Sequence, residues 1–141
     1  LLTFEKQKHM KQLMKKSLLI ITLFTVLTAF INPIINENIA KALKNGNATS
    51  IASFFNNTVD LTLPKNEGVF SKAQAEIILK NFFTANKPSD FKVVHDGESK
   101  NNTLYSIGNL ITTNGVFRTY ILYQENGNNI VILELRIESD E

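Results

Sequence analysis

The 141-residue chain has no cysteine and no tryptophan, and only two histidines (His9 and His95) and two arginines (Arg118 and Arg136). Without Cys there is no disulfide framework, thiolate metal site, cysteine nucleophile or lipid-modified N-terminal Cys. Two imidazoles, one of them in the N-terminal region, do not make a His-rich metal cluster or a catalytic His pair. No phosphate loop, nucleophile elbow or metal-ligand spacing occurs, so no metal and no cofactor is expected. Positive charge is thin where a nucleic acid would need it. Residues 1–29 hold five Lys and one acid, whereas residues 30–141 hold ten basic and twelve acidic residues, a net of −2. Neutralising phosphates takes a concentrated Lys/Arg face. Nucleic acid is not an expected partner.

What is present begins with a targeting pattern. Lys15 and Lys16 precede an apolar run of 14 residues, Leu18 to Ile31. A charged start followed by ~7–15 apolar residues is a secretory signal, and the run is short of the ~20 that span a bilayer as a helix. Residues 14–29 are therefore read as a signal peptide, and residues 1–13 as an upstream extension outside the natural start. Leu27-Thr28-Ala29 is a poor version of the small-x-small cleavage rule. The second reading is accordingly an uncleaved anchor reaching Ile35, which would be the chain's one membrane contact. Under either reading the protein is exported, periplasmic or secreted, and residues 36–139 form its single domain.

That domain opens with helices. Asn36 can cap a helix over 37–44 that stops at Gly46, and Asn47 can cap another carrying Ile51, Phe54 and Phe55 at helical spacing. Ser71-Lys72-Ala73-Gln74 is a capping box. It opens a helix over 72–85 with Ala75, Ile78, Leu79, Phe82 and Phe83 as its apolar stripe, ended by Lys87-Pro88. Val59 to Leu63 alternates as a short strand before Pro64. Strands follow over 91–96, 103–113, 116–124 and 129–138, with Asn114-Gly115 and Asn126-Gly127 as hairpin signals. The fold class is α+β: a curved antiparallel sheet packed against three helices.

Two-residue and three-residue loops at these hairpins set Asn109 opposite Tyr120, Ile111 opposite Arg118, Tyr120 opposite Glu134 and Arg118 opposite Arg136. One sheet face then carries Leu110, Phe117, Ile121, Leu133, Leu135 and Ile137, with Gly108 where a helix can approach. The other carries Ile107, Leu122 and Ile132 at one end and Asn109, Arg118, Tyr120, Glu134 and Arg136 at the other. Arg118 reaches Glu134 on the diagonal. This second face is read either as a contact surface or as a solvated face with one ordinary ion pair. His95 shares a strand face with Phe91 and Val93, away from Asp96. Asp60 lies on its own strand.

Asn57 to Pro64, Glu67-Gly68-Val69-Phe70-Ser71-Lys72-Ala73-Gln74-Ala75-Glu76, Phe82-Phe83 and the closing Glu134-Leu135-Arg136-Ile137-Glu138 resemble a secreted domain-of-unknown-function family of Bacteroidetes. Residues 36–139 carry the resemblance. It implies the nuclear-transport-factor-two-like fold, also called cystatin-like or ketosteroid-isomerase-like. That fold hosts isomerases, dehydratases and cyclases as well as binding modules, so it does not choose among them. The first helix lacks the Tyr with which the isomerases work. The expectation is therefore a non-enzymatic binding or dimerisation module of the cell envelope. Its apolar patch of Ile107, Leu122 and Ile132, rimmed by Tyr120, Arg118 and Glu134, predicts a symmetric homodimer; a terminal segment covering that patch would leave a monomer. The alternative is a cavity enzyme acting on a small hydrophobic ligand, with Asp60, His95 or Tyr105 as acid or base.

Overall fold

The computed structural model describes residues 2–26 and 35–139. The chain divides into two compact units between residues 33 and 34. The first contributes α1 (Leu2–Val26), which crosses the expected boundary at residues 13 and 14 without a break. The cleavage site after Ala29 and residues 27–34 of the anchor reading lie outside the described residues. Among the described residues, no helix is long and apolar enough to cross a membrane.

The second unit runs α2 (Glu37–Lys44), α3 (Ala48–Ser53), β1 (Phe55–Leu63), β2 (Asn66–Ser71), α4 (Lys72–Ala85), β3 (Pro88–Glu98), β4 (Thr103–Thr112), β5 (Gly115–Asn126) and β6 (Asn129–Ser139). Its helices begin at the expected caps. Asn36 accepts from the Asn38 N–H at 2.9 Å, and Asn47 accepts from the Ser50 N–H at 3.0 Å. At α4 the Gln74 N–H donates to Ser71 Oγ while the Ser71 N–H donates to Gln74 Oε1, which satisfies two otherwise free donors. Helix α3 is shorter than its apolar spacing suggested. It stops at Ser53, and Phe55 opens β1 instead. The cause is a competing partner: the Ile132 N–H donates to the Phe54 carbonyl at 2.7 Å and draws the chain onto β6.

The six strands form one curved, unclosed sheet in the order β2-β1-β6-β5-β4-β3. Strand β2 was not legible in the sequence. One ladder, β1 with β6, is parallel where an antiparallel sheet was expected; the others are antiparallel. Both hairpin registers also differ from expectation. Thr112 pairs with Gly115, so the first loop is Thr113-Asn114 and Asn109 lies opposite Arg118, Ile111 opposite Val116 and Ile107 opposite Tyr120. Thr112 Oγ1 accepts from the Asn114 N–H and donates to the Gly115 carbonyl, and only Gly115 takes a positive φ, of 120°. This slip is by two residues, so each side chain of β4 and β5 keeps its expected face.

Strand β6 does not keep its faces throughout. Asn126 pairs with Asn129, and a bulge then leaves Leu133 unpaired between Tyr123–Ile132 and Leu122–Glu134. Ile132 consequently points into the core, not outward, and Leu133 is only half-buried. Beyond the bulge Glu134 lies opposite Leu122, Arg136 opposite Tyr120 and Glu138 opposite Arg118. A second bulge, at Val94, turns His95 to the face opposite Phe91 and Val93. Gly108 makes room for a neighbouring strand and not for a helix: a Cβ there would meet the Phe91 ring at 2.5 Å and the Lys92 carbonyl at 2.8 Å.

The core lies between α2–α4 and one sheet face. Ile39, Leu43, Ile51 and Leu79 from the helices meet Leu61, Leu110, Ile121, Ile132, Leu135 and Ile137 from the strands. Lys44 adds a surface tie from α2 to β3, 3.2 Å from Asp90, and its hydrogen bond holds the Asp90 carboxyl below the usual value. Thr119 is out of character in this layer. It is fully buried, and its Oγ1 finds no partner among the described residues. An unpaired buried hydroxyl costs about 1–3 kcal/mol. Thr119→Val, of nearly the same shape, should raise the unfolding free energy by roughly 1 kcal/mol, measured by urea denaturation. A lower midpoint would mean the hydroxyl is paired.

Candidate functional site

The pleat of the sheet directs alternate residues away from the helices, and there two neighbouring cross-strand rows bring most of the candidate residues together. From β3 to β2 the first reads His95, Ile107, Tyr120, Arg136, Thr62 and Glu67. The second reads Gly97, Tyr105, Leu122, Glu134, Asp60 and Val69. Asn109 and Arg118 pair with each other on the same face. Ile132 alone among the candidates is missing, displaced to the core by the bulge at Leu133.

The two halves of this outer face differ in chemistry. Over β3–β5 it is aromatic and aliphatic. Tyr105 and Tyr120 stack with ring centroids 6.1 Å apart and planes 23° from parallel. Tyr105 Oη is 3.1 Å from His95 Nε2. Gly97 lies under the Tyr105 ring so closely that a Cβ would stand 2.6 Å from its hydroxyl end. Burial, and then the nearby Glu134 carboxylate, push the Tyr120 hydroxyl above its usual pKa. Over β6, β1 and β2 the face is charged. Glu134 pairs with Arg136 on its own strand and not with Arg118, as the sequence register had suggested. The hydrogen bond from Arg136 to Glu134 raises the guanidinium pKa further.

A second feature lies on the helix side and was not foreseen. A cavity of about 490 Å³ opens between α4, the β1–β2 turn and the β4–β5 turn. Leu63, Ile78, Phe82 and Phe117 are its apolar lining; Phe82 and Phe117 meet edge to face, 5.2 Å between centroids. Asn66, Asn81, Asn86 and Asn114 bring carboxamides to it, and Lys65 is its one charged residue. Asn114 Nδ2 donates to the Ala85 carbonyl at 2.7 Å and to Asn86 Oδ1 at 3.1 Å, so that part of the rim is fixed. Asp60, His95 and Tyr105 do not line this cavity.

At the far end of the same sheet face, Ser106 donates to Asp96 Oδ1 at 2.5 Å. Burial raises the pKa of the neighbouring Tyr123 hydroxyl. The Ser106–Asp96 hydrogen bond is a part-buried tie between β4 and β3. Among the described residues no group of three or more His, Asp or Glu is placed to hold a metal ion.

Helices and a strand pair followed by a long helix and a curved four-strand meander, with helices packed on one sheet face, define a nuclear-transport-factor-two-like domain. Within that class the chain belongs to the family described as domain of unknown function DUF4783, whose model matches residues 36–138. A DUF4783 protein from Bacteroides ovatus is 28% identical with a TM-score of 0.69, over 78% of this chain and 99% of that one. One from Bacteroides uniformis is 30% identical with a TM-score of 0.67, over 76% of this chain and 99% of that one. Almost the whole of each of those crystallised chains is thus matched by this domain. A Xanthomonas campestris protein named for the calcium/calmodulin-dependent protein kinase II association domain shares the fold, at 17% identity and a TM-score of 0.54, over 73% of this chain and 81% of that one. None of the curated proteins compared with the chain matches it.

Proposed function

We propose that the domain is a non-enzymatic binding and dimerisation module of the cell envelope, exported by its N-terminal segment, and that its outer sheet face joins two copies. The observation that carries this is the pair of adjacent rows on which Ile107, Tyr120, Tyr105 and Leu122 form one continuous patch. Helices α2–α4 pack on the opposite face, and a contiguous apolar surface rimmed by charge is the usual anatomy of an interface. Size is adequate as well. The whole outer face, apolar patch and charged half together, spans five inter-strand spacings of about 4.8 Å and strands of roughly 20–30 Å, and so presents on the order of 600–700 Å². A standard interface buries about 800 Å² per partner. The Xanthomonas protein named for an association domain uses the same fold.

The acid and base candidates favour this reading over catalysis. A general base needs an orienting partner and a substrate held within reach. Among the described residues the side-chain partner of His95 is the Tyr105 hydroxyl and no carboxylate, and both lie on the outer sheet face. Asp60 lies on that face too, outside the cavity. The test is sedimentation equilibrium on residues 34–141 at micromolar concentration. A dimer is expected; a monomer over the whole range would refute the proposal.

A further inference from the structure

The cavity beside α4 shares no residue with the outer face, and its lining specifies a different kind of partner. Its volume of about 490 Å³ lies within the range of small-ligand pockets, and it is open to solvent on the side of Lys65, Asn66, Asn81 and Asn114, which are exposed. The floor is hydrocarbon and aromatic, from Leu63, Ile78, Phe82 and Phe117, so the body of a ligand must be apolar. The rim supplies carboxamides and a single cation, Lys65, which makes no ion pair among the described residues. A buried apolar body with one charged end is an amphiphile. One Lys matches one negative charge, whereas a phosphate dianion would be left half neutralised. A cationic headgroup would meet Lys65 with like charge. The lining contains no carboxylate, imidazole or hydroxyl to act as acid, base or nucleophile, so the cavity is equipped to hold a molecule and not to convert it.

We infer that this cavity binds a monocarboxylate amphiphile, its hydrocarbon chain against Phe82 and Phe117 and its carboxylate at Lys65. The body supplies affinity through apolar burial, worth about 0.8 kcal/mol per buried methylene. The charge supplies selection among headgroups.

Calorimetric titration of residues 34–141 with decanoate, decanol and decyltrimethylammonium, all below micelle formation, tests the assignment. Decanoate should bind tightest and decyltrimethylammonium weakest. Lys65→Glu exchanges an attraction for a repulsion at an exposed rim position, so it should weaken decanoate about tenfold while leaving decanol nearly unchanged. Asn81→Trp introduces a large ring from an exposed position of α4, and should weaken decanoate and decanol alike by at least about tenfold. Both positions are exposed, so both variants should keep the unfolding midpoint of the parent. Decanoate binding that neither variant alters would overturn the site. Equal binding of all three ligands, unaffected by Lys65→Glu, would overturn the carboxylate.

Discussion

Ile132→Ala should remove about 2–5 kcal/mol of stability, the range for deleting a large aliphatic side chain from a packed interior, while Leu133→Ala should remove about 1 kcal/mol or less. The two residues are neighbours in one apolar run, and simple strand alternation gives them the opposite ranking. The bulge at Leu133 decides the matter, because it leaves Ile132 fully buried among the core side chains and Leu133 half exposed beside them. A domain of this size has roughly 5–15 kcal/mol in hand, so Ile132→Ala should bring the urea midpoint down by a large fraction. With no Trp in the chain, circular dichroism is the suitable probe. A larger loss for Leu133→Ala would mean that the strand runs through without a bulge.

The same run shows where the sequence stops being informative. Ile130-Val131-Ile132-Leu133 is apolar at every position, and a run without alternation carries no phase, so nothing local says which residue faces in. Val93-Val94 has the same ambiguity, and a bulge there sent His95 outward. Strand β2 was lost for a related reason: its edge position leaves Asn66, Glu67, Val69 and Ser71 exposed, and its pattern is that of a polar loop. Helix starts, by contrast, were legible because a cap is a local event. Asn36, Asn47 and Ser71 each satisfy N–H groups within three residues of themselves.

Most of the outer face was readable although its registers were not. The first hairpin slipped by two residues, which preserves faces, and the bulge in β6 restored Glu134 and Arg136 to the face expected of them. The cavity was not readable at all. Lys65, Ile78 and Phe117 come from a turn, a helix and a strand, and each looks ordinary in its own segment. Only packing α4 against the two turns brings them together.

Leu122→Glu should raise the dissociation constant of the proposed outer-face dimer by at least about a hundredfold, with little change in the stability of each subunit. Leu122 sits between Tyr105 and Glu134 in the central cross-strand row. In a two-fold interface the same patch serves both copies, so one substitution places two carboxylates in it. A buried charge without a partner costs about 3–5 kcal/mol, and each 1.4 kcal/mol is about tenfold in affinity. On the free subunit the same Glu side chain reaches water. Gly97→Ala approaches the face differently. Its methyl group would displace the Tyr105 ring, and with it the stack on Tyr120 and the hydrogen bond to His95. The displaced atoms are the far end of an outer-face side chain, so the subunit should lose less than about 1 kcal/mol while the dimer weakens several-fold. Sedimentation and urea denaturation of both variants separate association from folding. A dimer that survives both changes would put the interface on another surface; loss of folding in Leu122→Glu would mean that Leu122 belongs to the core.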